Sequence, residues 1–304
     1  MALSYVKKKR RDWKDLIFYI CMLAIPVANI AIFYFGVNFN SILLSFQEYD
    51  YNSDQYVLLG FDNFKWVFAM LKDSTFLQAL KNSIFAYLFG YGISETLCIV
   101  VSYFMYKKFR GGRVFRILLF LPSIVSAIVM TIMFKYFVER FIPEFGKLIT
   151  GEMISGLLSN QDTVFPTLIF YGIWTGLGGG ILIYTGTMNS INESLSEYAK
   201  LDGLNDLQEL VYIVIPSIWP TFVTFFVANF SGILSSQLSL YNFYGANASS
   251  RLWTVGYYMY KETLTAGKIQ YPTLSAMGFV FTLIMAPATL LIRWLLLKYG
   301  PKEE

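Results

Sequence analysis

Apolar residues arrive in six long runs, near 16–38, 82–106, 115–138, 164–188, 213–240 and 271–297, separated by stretches where polar and charged residues collect. Each run reaches the roughly 20 residues that a helix needs to cross a hydrocarbon core about 30 Å thick. The pattern predicts an all-α integral membrane protein of six transmembrane helices. The first run follows Lys7, Lys8, Lys9, Arg10 and Arg11, as the apolar part of a signal peptide would. It is about twice the usual length of such a part and lacks a small-residue cleavage site, so it is expected to stay as an anchor. The expected organisation is a basic N-terminal piece (1–15), one transmembrane domain (16–297) and a short tail (298–304).

Lys and Arg set the expected orientation. Six precede the first run, Lys107, Lys108, Arg110, Arg113 and Arg116 follow the second, Lys200 follows the fourth, and three close the chain. Nine fall on the other side. Basic residues in short loops beside span ends stay in the cytoplasm, so both termini are expected there. Lys135 and Arg293, near span ends, are placed to snorkel to the interface. Prolines 26, 122, 216, 220 and 287 lie within or at the ends of spans, where neighbouring helices satisfy the freed carbonyls and the helix can kink.

One loop breaks the trend. Residues 189–216 read NSINESLSEYAKLDGLNDLQELVYIVIP, with Glu193, Glu197, Asp202, Asp206 and Glu209 against the single base Lys200. Ser194 or Ser196 is expected to cap a short helix, with Glu197 three residues after Ser194 in capping-box register. Gly203 stands where that helix would end. The stretch predicts an amphipathic helix, a glycine turn and a second helical piece leading into the fifth span, which would lie at the membrane surface and offer one face to a partner. The plainer alternative is a loop whose acids are simply solvated.

Composition narrows the chemistry. The 304 residues are 56% hydrophobic, 18% aromatic and only 14% charged, with a mean hydropathy of +0.50 and a net charge of +4. Soluble domains carry about 25% charged residues, so the chain belongs in a bilayer. The small, unevenly placed charge is not a sign of nucleic-acid binding. The absence of histidine excludes imidazole metal sites and His-dependent acid–base chemistry within this chain. Cys21 and Cys98 fall inside apolar runs, where a free thiol behaves as a small hydrophobe. No glycine-rich loop ending in Gly-Lys-Ser/Thr is present, so any nucleotide-derived energy must enter through a partner.

The 189–216 stretch resembles the EAA loop of binding-protein-dependent ABC importer permeases. There Glu-Ala-Ala is followed after three residues by Gly and after nine more by Ile, any residue, Leu and Pro. Here the order is Glu197, Tyr198, Ala199, then Gly203, then Ile213, Ile215 and Pro216. Tyr198 replaces the first alanine and Ile215 the leucine. SFQEYD at 45–50, GFDNFKWVF at 60–68, LKNS at 80–83, RGGRVFRILLFLP at 110–122 and the Asp202-Gly203 pair are similar to the maltose-transporter-like, sugar-type branch.

That resemblance implies a type I importer transmembrane fold and a set of partners: a second permease, commonly a different one, two copies of a cytoplasmic ATPase carrying ATP and Mg, an external solute-binding protein and the lipid bilayer of a bacterial or archaeal cell. The chain itself would hold no cofactor and no metal and would be no enzyme. The loop 189–212 would be the coupling element. Glu197 would pair with a basic group of the ATPase, Ala199 would allow close approach, and Gly203 would permit the turn, with Tyr198, Asp202 and Pro216 completing the segment. Nucleotide and substrate would then bias one alternating-access bundle.

Sugars present hydroxyls and weakly apolar ring faces, so their path needs aromatics and neutral hydrogen-bonding groups at bilayer depth. Tyr171 and Trp174 in the fourth span, and Asn229, Ser231, Ser235, Ser236 and Gln237 in the fifth, are the candidates; ordinary packing and interhelical hydrogen bonding account for the same residues. Gly176, Gly178, Gly179, Gly180 and Gly186 imply either close helix contact or a widened, cavity-lining section. Glu95 is the only acid deep within a run. A stand-alone secondary transporter or channel is the rival class and would need midplane charge pairs or discontinuous helices; an importer permease for a non-sugar solute is another. A membrane-embedded enzyme would need a ligand or acid–base cluster.

Overall fold

A computed structural model of the chain describes residues 13–109, 111–152 and 154–301. The basic cluster 7–11, Arg110 and the end of the 298–304 tail lie outside the described residues. Five helices are long and apolar enough to span a membrane: Leu16–Leu44, Ser74–Tyr106, Val164–Met188, Asp206–Ser231 and Gln270–Tyr299. Val114–Ile124 and Ala127–Ile149, which meet at an angle of 106°, together reach the same length and apolarity, making a sixth crossing if the pair is one span. The run 115–138, expected as one span, is therefore broken. Pro122 removes a backbone donor in the last turn of the first half, and Val125 and Ser126 are extended, with ψ of 143° and 133°, so the second half starts in a new direction.

The fifth span also stops short of the expected residue 240. Its helix ends at Ser231, and Leu238 and Ser239 take positive φ before a short helix, Leu240–Tyr244. The intervening strand of chain is held rather than helical. Thr254 Oγ donates to the Ser236 carbonyl at 2.7 Å, and Gly256 lies so close that a Cβ there would sit 2.4 Å from the Ser235 backbone.

The chain divides into two compact units. The smaller contains the described residues up to Val67 together with Ala266–Val280. Its first span has none of its apolar window buried within the described chain. After that span, strands Gln47–Asp50 and Gln55–Leu58 form an antiparallel hairpin, with Tyr49 opposite Tyr56. Asn63 fastens the hairpin's entry by donating to the carbonyls of Ser45 and Gln47 at 3.0 and 2.7 Å. Lys268 donates to Asp54 at the hairpin's turn at 2.7 Å, and that bond raises the Lys268 pKa. The sequence SFQEYD and the Asn of GFDNFKWVF are thus two halves of one latch.

The larger unit, Phe68–Thr265 with Phe281–Glu304, holds two apolar cores. One gathers Phe134, Val138, Leu168, Tyr171, Leu240, Phe243 and Tyr257. The other gathers Cys98, Tyr103, Ile181, Tyr184, Met188, Leu210, Val214 and Ile218, at the ends of the spans that border the acidic loop. The second and fourth spans pack most intimately, with Ser102 Oγ donating to the Ile181 carbonyl at 3.1 Å. In the LKNS sequence, Asn82 donates to the carbonyls of Arg251 and Trp253 at 2.7 and 2.9 Å, and Ser83 accepts from the Val255 amide at 2.9 Å.

Candidate functional site

Two constellations lie in the larger unit. The first is the acidic loop. A helix runs over Glu193–Leu201, capped by Asn192, whose side chain accepts from the Ser194 amide at 3.1 Å. Neither Ser194 nor Ser196 is the cap, because Asn192 reaches the free amide first and Ser196 is engaged elsewhere. Gly203 ends the helix at φ +76°, with the Gly203 amide bonded to the Lys200 carbonyl and the Leu204 amide to the Ala199 carbonyl. That crossed pair satisfies the last carbonyls and needs a left-handed residue, which glycine supplies without strain. Asn205 then caps the next helical piece, and its bond with Gln208 is reciprocal. Pro216 follows directly on a π-helical turn, Leu210–Val214, within the continuous helix Asp206–Ser231, where the widened geometry accommodates its missing amide.

Of the loop residues, Glu197, Tyr198, Asp202 and Gly203 are exposed, whereas Ala199 is buried at 4% exposure. The small Ala199 side chain is therefore turned toward its own chain, and the close approach it permits is of this helix to the bundle. Tyr198, Leu195 and Leu201 share the outer side at helical spacing and are 61%, 45% and 81% exposed. The bulky tyrosine thus stands mostly in the open.

Beneath this helix Glu209 is only 2% exposed. Its two oxygens accept from Ser196 Oγ of the short helix and from Lys107 Nζ at the end of the second span. Lys107 also lies 3.5 Å from Asp206 and 5.3 Å from the centre of the Tyr103 ring. Burial alone would lower the Lys107 pKa, but the bonds to Glu209 and Tyr103 outweigh it and raise the value. Sequence reading placed Glu209 only among the loop's acids; nothing in its spacing told it from the solvated ones.

The second constellation is a cavity of 570 Å³ between the second, fourth and fifth spans. The second span takes π geometry over Ala86–Tyr91, a local widening that often accompanies functional sites. Tyr87 and Tyr91 stack there with ring centres 5.2 Å apart; the Tyr87 hydroxyl is buried without a hydrogen-bond partner, and that of Tyr91 lies beside Glu95 and Asn229. One turn on, Glu95 accepts from the Tyr184 hydroxyl. Asn229 lines the opposite wall, and its amide nitrogen donates to the Phe225 carbonyl at 3.0 Å. Tyr87, Tyr91 and Tyr184 were missed from sequence, although Tyr87, Tyr91 and Glu95 at four-residue spacing mark one helix face.

The other candidates separate. Asn229 and Ser236 line the cavity. Tyr171 is packed in the first core, 4.9 Å from both Phe134 and Phe243, with its hydroxyl 3.0 Å from Thr131. Trp174 is half-buried against Phe134. Ser231 and Ser235 donate to the carbonyls of Ala228 and Gly232 on their own segment, and the Gln237 carbonyl receives the Leu240 amide. Both expectations for the glycine-rich span apply at different positions: Gly178 is pressed to the Phe120 backbone, while Gly176 and Gly179 line the cavity.

Five membrane-length helices and a bent sixth pair, with a helix–glycine turn leading into the fifth, mark a multi-pass membrane protein. The family model described as "Binding-protein-dependent transport system inner membrane component" matches residues 94–302, and the chain belongs to that family. It is thus the permease subunit of an ABC importer and a multi-pass component of the inner membrane. It is 19% identical over 292 residues to the multiple sugar-binding transport system permease protein MsmF of Streptococcus mutans, spanning 96% of this chain and 97% of that one. It is 27% identical over 201 residues to the lactose transport system permease protein LacF of Rhizobium radiobacter, spanning 63% and 66%. Its fold matches a chain in the crystal structure of a bacterial ABC transporter involved in the import of the acidic polysaccharide alginate, with a TM-score of 0.76 at 18% identity over 95% of this chain and 97% of that one.

Proposed function

We propose that the chain forms half of the translocation pathway for a sugar or oligosaccharide, pairs with a second permease, and receives its energy from two copies of a separate ATPase that carries ATP and Mg. An external binding protein delivers the cargo, both termini are cytoplasmic, and the chain hydrolyses no nucleotide itself. The observation that carries the cargo class is the stacked Tyr87–Tyr91 pair beside Asn229 and Glu95 in a cavity of 570 Å³. Stacked rings suit the apolar face of a pyranose, the serines and the amide that line the cavity suit its rim, and the volume lies within the roughly 300–1,000 Å³ of small-molecule sites. The named cargo of MsmF and LacF supports the same class.

Coupling runs through the acidic helix. Glu197 meets a basic group of the ATPase, Tyr198 and Leu201 seat in its cleft, and Asp202, Gly203 and Pro216 hold the segment's shape. The exposed apolar edge supports this reading over a merely solvated loop, since Leu201 is 81% exposed. Whole-cell uptake of labelled saccharides, with and without the Glu197–Gly203 segment exchanged for a Gly/Ser stretch, tests the proposal. Uptake and ATPase co-purification are expected to vanish while the permease still inserts; normal uptake by the exchanged protein contradicts it.

A further inference from the structure

We infer that the cavity discriminates by charge: it accepts uncharged saccharides and turns away those bearing carboxylate, sulfate or phosphate groups, and Glu95 is the residue that sets this selectivity. The inference rests on the saccharide reading above and narrows it. Among the described residues that line the cavity, Glu95 is the only ionisable acid and neither lysine nor arginine appears. A path for an acidic sugar at this depth would need a cation or a ring of donors to replace the water its charge loses. Instead the wall offers one carboxyl and otherwise only neutral groups: tyrosine hydroxyls, three serines, a threonine whose hydroxyl is already given to the Ser236 carbonyl, and the Asn229 amide. Tyr184 donates to one Glu95 oxygen and Tyr91 lies beside the same carboxyl, which fixes its position in the wall. The fold relative that handles an acidic polysaccharide therefore shares this chain's architecture and not its cargo.

An ionised Glu95 carboxylate and a uronate about 6 Å apart at an effective dielectric of about 20 disfavour each other roughly 100-fold. The test is equilibrium dialysis of the complete importer in nanodiscs, with its binding protein omitted so that only the permease selects. The probes are a labelled pool of neutral gluco-, galacto-, manno- and xylo-trisaccharides and a pool of the corresponding uronates. The expected result is retention of the neutral pool with the uronate pool weaker by roughly 100-fold, and a gap narrowed at least tenfold in Glu95→Gln. Asn229→Asp adds a second carboxyl to the same wall and is expected to widen the gap, which keeps the test decisive if Glu95→Gln does not assemble. Equal retention of both pools, or a gap unmoved by either variant, overturns the inference while leaving the saccharide reading intact. Retention of neither pool overturns the saccharide reading itself, and the inference with it.

Discussion

Lys107, Glu209 and Ser196 tie the end of the second span to the short acidic helix, and the strength of that tie can be measured. Replacing Lys107 with alanine leaves the Glu209 carboxylate, 2% exposed, with Ser196 as its remaining partner. An orphaned charge in a deep interior costs about 3–5 kcal/mol. The Lys107 side chain is 22% exposed, so water reaches part of the gap and the cost falls to about 2–3 kcal/mol. Glu209→Ala should cost less, about 1 kcal/mol, because the orphaned lysine reaches Asp206 at 3.5 Å and solvent. The double variant should cost less than the two single costs combined, giving a coupling energy of about 1–2 kcal/mol. Detergent-driven unfolding of the purified permease, followed by tryptophan fluorescence, reads all four corners of the cycle. On the lysine side the raised pKa means that the contribution is fully present below the ordinary value of 10.5 and is lost only as pH rises through the folded value, so the coupling should be flat between about pH 6 and 9. A coupling energy under about 0.5 kcal/mol, or Lys107→Ala milder than Glu209→Ala, refutes the reasoning.

Other substitutions follow from packing. Gly256→Ala places a Cβ 2.4 Å from the Ser235 backbone and should destabilise by about 1–3 kcal/mol, whereas Gly186→Ala, whose Cβ meets nothing within 4 Å, should be neutral or gain up to about 1 kcal/mol of helix propensity in the same unfolding assay. Asn82→Leu leaves the Arg251 and Trp253 carbonyls without their donor and should cost about 1–3 kcal/mol, read as faster proteolysis around residue 251. Gly203→Asp forces a side chain into φ +76° where space is open, so the permease should insert normally yet lose ATPase co-purification as the helix–turn geometry shifts.

The spans were legible because bilayer thickness demands long apolar runs whatever the packing, and the acidic helix was legible because its charge opposes the loop trend. The break near Val125 was not, since Pro122 is equally compatible with a gentle kink inside one helix. The early end of the fifth span was hidden because Gly232, Ser235 and Ser236 lie in a run apolar enough to continue, and only Thr254 and Gly256, some 20 residues on, hold that segment out of helix. Asn63 and Asn82 drew notice as family-like sequence, but their work as latches depends on carbonyls far away along the chain. The cavity was half visible: Asn229 and Ser236 were singled out, while Tyr87 and Tyr91 looked like two more aromatics among 22 tyrosines and 28 phenylalanines.

Cysteine capture from the outer edge of the acidic helix tests the mechanical role of that segment most directly. In a chain with Cys21 and Cys98 replaced by serine, Tyr198→Cys and Leu201→Cys should each form a bond to an ATPase subunit bearing an engineered cysteine in its cleft, with a yield that changes when ATP is added. The same reaction from Leu58→Cys on the hairpin should give none. Capture from Leu58 together with silence at positions 198 and 201 contradicts the account.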